Sequence, residues 1–183
     1  MPARYPVPPG YPPAPPPIAP NGARLADFGD RFLAFLIDYA ILAAASMVVL
    51  VPAMFIWFSM VFNLANDTSA RNEPVDIAPI LLPALGLWAG IFILLLAIQY
   101  VYRVEMMWRT GQTVGKRGMK LRVIPLEPGA ELTRGTAATR FFIELVSGFV
   151  PFGNVLDGLW QLWDKPFRQC LHDKVAKTVV VKV

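Results

Sequence analysis

Two uninterrupted apolar stretches constrain the fold of this chain more than any other feature of its sequence. Residues 32–62 contain a single charged side chain, Asp38, and residues 77–102 contain none. The hydrocarbon core of a bilayer is about 30 Å thick, and roughly 20 helical residues cross it at a rise of 1.5 Å each. Both stretches exceed that length. Because a water-soluble chain of 183 residues has no reason to contain two such stretches, the sequence predicts an integral membrane protein.

The composition supports this class and argues against several others. Hydrophobic residues make up 55% and charged residues 16% of the chain, whereas soluble domains carry about 25% charged residues. The formal charge of +4 does not indicate nucleic-acid binding, because the basic residues flank the apolar stretches instead of forming one phosphate-binding face. A single cysteine, Cys170, excludes an internal disulfide. We expect no cleavable signal peptide, because a polar and Pro-rich segment precedes the first apolar stretch.

The placement of lysine and arginine predicts the side of the membrane on which each segment lies. Residues 103–140 carry eight basic residues, and further basic residues precede residue 32 and follow residue 164. Residues 63–77 contain one basic residue against three acidic ones. We therefore expect the N-terminus, the middle segment and the C-terminus in the cytosol, and residues 63–77 on the outside.

The expected architecture is an all-α membrane fold with a small cytosolic β element. Half of residues 1–20 are proline, which lacks a backbone N–H and resists helix formation, so residues 1–25 are predicted to be a disordered cytosolic tail. The membrane domain follows over residues 26–183. Within it we expect spans at about 31–58 and 77–103, a cytosolic segment at 104–133, a helical hairpin at 134–165 and a cytosolic strand at 175–183.

The hairpin is expected because the third apolar block, residues 137–163, has to begin and end on the same side of the membrane. Residues 151–154 (PFGN) supply a turn signal in its middle. The arms on either side of this turn are about 16–21 Å long at 1.5 Å per residue, which is short for a span. Two alternatives stay open: short or re-entrant helices whose turn is covered by protein, or two tilted spans extending from Thr133 to Arg168.

Two short segments are predicted to form strands. Residues 119–125 (MKLRVIP) alternate with the period of a half-buried strand, and residues 178–183 (TVVVKV) are rich in β-branched side chains. An isolated pair of strands is marginally stable in water, so we expect both strands to lie against the helix ends. Thr133 is predicted to be the N-cap of the third helix.

Asp38 is the first candidate functional residue, because it lies inside an apolar stretch. An ionised carboxylate within a bilayer costs at least roughly 2.5–3.5 kcal/mol, so it needs a partner, a water path or a proton. Arg31 lies seven residues earlier, on the same face of the helix. Two readings stay open: a proton or cation site, and a structural ion pair that locks the helices together.

The third apolar block supplies further candidates. Arg140 and Glu144 have the i,i+4 spacing of a pair within one helix. Asp157 and Asp164 lie on a polar stripe that also includes Gln161 and Arg168. This stripe either faces the cytosol from a shallow helix or brings Asp157 opposite Asp38 inside the bundle.

Two glycines in the second apolar stretch, Gly86 and Gly90, have the small-xxx-small spacing that lets helices approach closely. We favour packing against the first span over homodimerisation through this pair.

No pattern in the sequence indicates catalysis, a metal or a cofactor, and we expect the protein not to be an enzyme. Residues 111–117 (GQTVGKR) have three residues between their glycines and an arginine where a phosphate-binding loop needs Ser or Thr. Cys170 and His172 are too few ligands for a zinc site. The single histidine has no serine or cysteine nucleophile at a recognisable motif.

Several segments in order resemble the RDD family, which is named for one arginine and two aspartates. Residues 26–42 (ADFGDRFLAFLIDYAIL) resemble the first span of the family, with Arg31 and Asp38 at the matching positions. Residues 110–123 resemble its T-x-G-K…L-R-V signature, and Arg140 matches the arginine that opens its third apolar segment. Residues 171–180 resemble its closing H-D…T-V-V motif, which makes Asp173 the second aspartate.

The resemblance implies a bacterial protein, and together with the apolar stretches and the placement of basic residues it predicts an inner-membrane protein with several spans and with cytoplasmic termini. For this family, transport of an unidentified ligand is the usual suggestion, and cation/proton antiport has been proposed for some members. We therefore expect a protein that binds or transports a cation or proton through a membrane-embedded Asp–Arg constellation. The alternative is an adaptor that recruits a partner through its basic cytosolic segments and its Pro-rich tail. The expected partners are the lipid bilayer, a further copy of the chain and a cytosolic protein that binds the tail.

Overall fold

The computed structural model describes residues 17–71 and 76–183. The described part is mostly helical and includes one two-stranded sheet. In chain order the helices are α1 (Phe28–Arg71), α2 (Ala78–Tyr100), α3 (Met106–Thr110), α4 (Val114–Gly118), α5 (Arg134–Phe149), α6 (Gly153–Leu159) and α7 (Leu171–Val175). The strands are β1 (Leu121–Pro125) and β2 (Thr178–Lys182). A π-helical turn (Val101–Glu105) joins α2 to α3, and a 3-10 turn (Trp160–Leu162) follows α6.

Two helices are long and apolar enough to cross a membrane, as the apolar stretches predict. Most of their large apolar side chains are exposed: Phe55, for example, is 72% exposed and Leu82 76%. Such a surface is unfavourable in water and favourable in lipid. The second of these helices runs without interruption from Ala78 to Thr110, through the π-helical turn.

The first helix is longer than predicted. We expected a loop over residues 63–77, but α1 continues to Arg71. Residues 63–71 contain neither proline nor glycine, and the hydroxyls of Thr68 and Ser69 donate to backbone carbonyls one turn earlier, at 3.0 and 2.7 Å. The polar side chains therefore prolong the helix instead of ending it. Residues 72–75 of the predicted loop lie outside the described residues.

The two predicted strands are confirmed as an antiparallel pair. Leu121 pairs with Lys182, and Pro125 pairs with Thr178. The strand predicted over 175–183 is shorter, because α7 continues to Val175. The helix predicted to end near residue 103 likewise continues to Thr110, so the segment predicted at 104–133 begins as helix.

Residues 17–25 are packed against the sheet, which corrects the prediction of a disordered tail extending to residue 25. Leu25 forms a bridge with Val181, and the Ala26 N–H donates to the Val180 carbonyl at 3.0 Å. Leu25 and Ala19 are buried against β2. The neighbouring prolines do not oppose this packing, because the segment lies extended at a sheet edge and does not need to be helical. Residues 1–16 of the predicted tail lie outside the described residues.

Helices α5 and α6 occupy the predicted hairpin region. The prediction that Thr133 caps α5 is confirmed, since its hydroxyl accepts from the Thr136 N–H at 3.1 Å. The chain then turns through residues 150–152, and Gly153 is required there because a Cβ would lie 2.3 Å from the Ser147 carbonyl oxygen.

We call residues 17–27 and 106–183 the lobe. Its main apolar core joins α1, the π-helical turn, α3, α5 and the sheet. The buried residues of this core are Ala26, Ala34, Val104, Met107, Leu121, Val123, Ala137, Phe141 and Val180.

The contact expected from Gly86 and Gly90 is absent among the described residues. Both glycines are exposed, and a Cβ at either would meet nothing within 4 Å. The buried residues of α2 are Ala84 and Ile91, and Trp88 contacts Trp57 of α1 edge to face. The expectation that the two glycines pack against the first span is therefore wrong, and homodimerisation through them stays a prediction.

Candidate functional site

Asp38 lies on the face of α1 that packs against α4, and it is 7% exposed. Three donors converge on its carboxylate. The Tyr102 hydroxyl and the Gly115 N–H donate to Oδ1 at 2.6 and 2.7 Å, and the Thr113 hydroxyl donates to Oδ2 at 2.5 Å. We call these three donors the Asp38 cradle. Hydrogen bonds to an ionised carboxylate are stronger than neutral ones, so the cradle stabilises the charged form.

Local structure explains how each donor reaches Asp38. Tyr102 lies in the π-helical turn, a type of distortion that is common at functional sites because it changes the direction of side chains. Thr113 has an extended backbone and directly precedes α4, so the unpaired Gly115 N–H in the first turn of that helix is free to donate to the carboxylate. A Cβ on Gly115 would lie 2.2 Å from the Ala34 carbonyl oxygen, so only glycine permits this approach.

Lys116 follows the cradle on α4. Burial lowers the pKa of its amine below the usual range, and the negative charges of Asp38 and Glu144 partly offset this effect. Lys116 is thus the basic residue that directly follows Gly115, the backbone donor of the cradle.

A second cluster surrounds Asp173, which is fully buried. The Arg31 guanidinium donates to Oδ2 at 3.1 Å, and the Arg140 guanidinium donates to Oδ1. The Cys170 N–H also donates to Oδ2, at 3.1 Å, which caps α7. Burial raises the pKa of Asp173, but the guanidinium of Arg140, the ring of His172 and the guanidinium of Arg31 outweigh it and hold the pKa below its usual range.

Glu144 and Asp157 meet at His172. The His172 backbone N–H donates to Asp157 Oδ1 at 2.9 Å, and its ring Nδ1 lies 2.6 Å from Asp157 Oδ2. The ring Nε2 lies 3.5 Å from Glu144 Oε1. Glu144 also accepts from the Arg103 guanidinium of the π-helical turn. These contacts join α5, α6 and α7 to the long helix.

Asp164 is the last of the predicted site residues. Its carboxylate accepts from the Gln169 N–H at 3.0 Å and from the Lys174 amine at 2.5 Å. It therefore holds the segment between the 3-10 turn and α7.

The predicted residues are brought together in different pairs from those expected. Arg31 contacts Asp173 instead of Asp38, because the start of α1 lies beside α7 while Asp38, two turns later, faces α4. Arg140 likewise contacts Asp173 instead of Glu144. Asp157 bonds to His172 instead of facing Asp38, and so the expected Asp–Arg constellation around Asp38 is not formed by the described residues.

The polar stripe that begins on α6 faces the rest of the lobe, which corrects the reading that exposes it to the cytosol; the other arrangement, Asp157 opposite Asp38, is not formed either. Asp157, Gln161 and Asp164 are 5%, 7% and 8% exposed. The opposite side carries exposed apolar side chains, among them Leu156 and Trp163. These three side chains are buried because each finds a hydrogen-bond partner within the lobe, whereas Arg168 at the end of the stripe is half-exposed and pairs with Asp27.

Cys170, His172 and Asp173 place one ligand atom each within 4.8 Å of one another. This cluster does not suit a cation, because both oxygens of Asp173 already accept from guanidinium groups. Burial also raises the pKa of the Cys170 thiol, which keeps it protonated.

Sequence reasoning missed the residues of the cradle. Thr113 and Gly115 belong to the segment that resembles an incomplete phosphate-binding loop, and the anion they bind is the Asp38 carboxylate, through one side-chain hydroxyl and one backbone N–H. Tyr102 carries no signal of its own, because a tyrosine near a membrane interface is common. The threonine and glycine of the T-x-G-K segment were the available signal.

The model of the RDD family matches residues 25–177, which is most of the chain. The chain belongs to the RDD family. No curated protein and no solved structure matches it at a significant level. In this RDD family member, the arginine and the two aspartates from the matching motifs form two separate centres. Arg31 and Asp173 pair with each other, whereas Asp38 binds the T-x-G-K segment.

Proposed function

We propose that this RDD family protein is a scaffold of the bacterial inner membrane, with two spans that carry a cytosolic lobe locked onto them, and that it is not an enzyme. The observation that carries the proposal is the saturation of its buried acids. Asp38 accepts three hydrogen bonds, and Asp173 accepts from two guanidiniums and one backbone N–H. Asp38 joins α1 to Tyr102 and α4, and Asp173 joins α7 to α1 and α5.

The chemistry of the cradle supports a structural role for Asp38. A backbone N–H has no lone pair to offer, so a cation bound at Asp38 would have to lie beside the Gly115 N–H and the neighbouring Lys116 amine. The Tyr102 and Thr113 hydroxyls also use their protons on the carboxylate. All these groups favour the bare anion over an anion with a bound cation.

The proposed orientation rests on charge. The lobe contains most of the basic residues of the chain, whereas the far end of α1 carries Asp67 and a short polar stretch. The positive-inside rule then assigns the lobe, and with it both termini, to the cytosol.

For the hairpin we propose the shallow alternative. Helix α6 has seven residues and is therefore about 10 Å long, which is far too short for a span. Its base is tied to the lobe by Asp157, while Phe149 and Phe152 near the turn are 75% and 81% exposed. The turn then lies in the apolar part of one leaflet, with its polar side covered by the lobe.

A scaffold implies partners, and two kinds fit this chain. A cytosolic protein would bind the Pro-rich tail or the basic surface of the lobe. A second copy of the chain would pack against the exposed surfaces of α1 and α2 in the bilayer.

Cation or proton transport is the second candidate function, and one observation favours it. Asp38 lies in a part of α1 whose outward side carries exposed aromatic side chains, at Phe35 and Tyr39, which supports a position of the acid within the membrane. Among the described residues no guanidinium contacts it, in contrast to Asp173. Its three donors are all neutral groups.

Reconstitution into proteoliposomes separates the two functions. A scaffold should give cation-driven pH changes no larger than those of empty liposomes, for the wild type and for Asp38→Asn alike. A wild-type flux that disappears in Asp38→Asn and persists in the matched variant Asp67→Asn would overturn the scaffold proposal and establish transport.

The partner is tested by deletion of residues 1–16, which leaves the packed segment from residue 17 intact. If the tail recruits the partner, the truncated protein should lose a co-purifying protein that the full chain retains in mild detergent. Retention of that protein by the truncated chain would assign recruitment to the lobe.

A further inference from the structure

An open groove of about 790 Å³ lies on the lobe beside the end of the long helix. Its walls come from α3, α4, β1 and the turn that follows β1. Gly111 forms part of the floor with a φ of +70°, and its carbonyl accepts from the Val123 N–H at 2.8 Å. A Cβ at this position would lie 3.0 Å from Arg122 Cγ, so the glycine lets the arginine stem lie close to the turn.

Three guanidiniums line the groove, and each comes from a different element. Arg109 belongs to α3, Arg117 to α4 and Arg122 to β1. Arg109 makes a long contact of 3.8 Å to Glu105, its guanidinium lies 6.0 Å from the centre of the Trp108 ring, and its side chain is 72% exposed. Arg117 and Arg122 make no side-chain hydrogen bond or ion pair with any described residue. Arginine side chains gathered from separate elements are a recurring way in which proteins bind phosphate.

Two features support a position of the groove near the surface of the membrane. Trp108, which also lines it, is 40% exposed and lies on the same continuous helix as the apolar second span. Helix α4 packs against α1 next to Asp38, where the outward side of α1 is apolar and exposed. A tryptophan beside arginines at such a level is typical of the headgroup region of a bilayer.

Two acidic residues limit the charge of the ligand. Glu127 and Glu131, from the turn after β1, also line the groove and leave its three arginines with a net charge of +1. This balance suits the single negative charge of a phosphodiester. A phosphate dianion or an acidic peptide would bring further negative charge next to the two glutamates.

We propose that this groove binds the phosphodiester headgroup of an anionic glycerophospholipid from the cytosolic leaflet. Arg117 and Arg122 hold the phosphate oxygens, Arg109 contributes from the edge, and Trp108 lies beside the glycerol and the upper part of the acyl chains. The choice of the cytosolic leaflet rests on the orientation proposed above, whereas the groove itself shares no residue with the Asp38 cradle or the Asp173 cluster.

The test uses the full chain in detergent and counts bound lipid by native mass spectrometry during titration with phosphatidylglycerol or phosphatidylcholine. The variant Arg117→Gln/Arg122→Gln removes two groove charges. Its matched control, Lys165→Gln/Lys177→Gln, removes two exposed charges outside the groove. We expect one phosphatidylglycerol per chain to bind more tightly than phosphatidylcholine. The groove variant should weaken this binding by about tenfold or more, and the control by less than about threefold.

Other outcomes would overturn the proposal. Equal losses in the two double variants would mean that the basic surface acts diffusely, without a site. Displacement of phosphatidylglycerol by millimolar inorganic phosphate would show a site for free phosphate. Unchanged binding in the groove variant, with an unchanged Tm, would place the lipid elsewhere. Glu127→Gln/Glu131→Gln gives a further check, because it should strengthen binding of inorganic phosphate more than binding of the diester.

Discussion

At the scale of single residues, Gly115 controls how closely the lobe approaches the first span. A Cβ there would lie 2.2 Å from the Ala34 carbonyl oxygen and 2.8 Å from Asp38 Cγ. The obstructing atoms belong to a helix backbone and to a side chain held by hydrogen bonds, so they cannot move aside easily.

We therefore predict that Gly115→Ala displaces α4 and lowers the free energy of unfolding by about 1–3 kcal/mol. Gly118→Ala is the matched control, because it lies on the same helix and its Cβ would meet nothing within 4 Å. Thermal unfolding of both variants in detergent measures the difference. Equal Tm values would mean that α4 does not pack on α1 through Gly115.

Asp173 is the residue whose loss should destabilise the protein most. It neutralises Arg31 and Arg140, which are 8% and 1% exposed. Removing one partner of a buried ion pair costs about 3–5 kcal/mol, because the remaining charge stays buried. Asp173→Asn should show this loss in chemical denaturation. Arg24→Gln, which breaks an exposed pair with Asp27, should cost less than about 1 kcal/mol; a similar loss in both variants would contradict the prediction.

The lowered pKa of Asp173 also predicts a dependence of stability on pH. A carboxyl whose pKa is lower in the folded state contributes stability that is fully present above its unfolded value, here 3.8, and is lost as pH falls through the folded value. The wild type should therefore lose stability below about pH 4, and the difference between wild type and Asp173→Asn should shrink over the same interval. If the difference in free energy of unfolding between wild type and Asp173→Asn stayed constant down to pH 2.5, the lowered pKa of Asp173 would be contradicted.

At the scale of elements, hydrophobic pattern predicted more than polar pattern did. Hydrophobic periodicity and helix capping depend on residues that are close together in the sequence. They therefore predicted the two apolar helices, both strands and the Thr133 cap. The far end of α1 was not, because polar residues such as Asp67 prolong a helix when no proline or glycine intervenes. The burial of Ala19 and Leu25 was not predictable either, since it depends on β2, which lies more than 150 residues later.

The α5–α6 hairpin makes a prediction at this scale. If its turn lies shallowly in one leaflet, a cysteine at Phe152, in a Cys170→Ser background, should resist a membrane-impermeant maleimide from both sides. A cysteine at Glu127 should react from the cytosolic side and one at Asn66 from the outside. Reaction of the Phe152 cysteine from the outside would contradict the shallow hairpin and favour two tilted spans.

At the scale of the whole molecule, buried polar contacts hold the long helices and the lobe together. Asp38 joins α1 to the π-helical turn and to α4, and Asp173 joins α1 to α5 and α7. The sequence singled out these acids and bases as candidates, but not their pairing. Pairing depends on which element crosses α1 at each turn, and local spacing contains no information about that.

The central claim is that Asp38 is a structural acceptor that locks α4 onto the first span, and the coupling between Asp38 and Thr113 tests it most directly. A double-mutant cycle of Asp38→Asn and Thr113→Val, read as free energy of unfolding in detergent, should give an interaction energy of about 1 kcal/mol or more. Free energies that add to within about 0.5 kcal/mol would contradict the claim, since they would mean that the two side chains act independently.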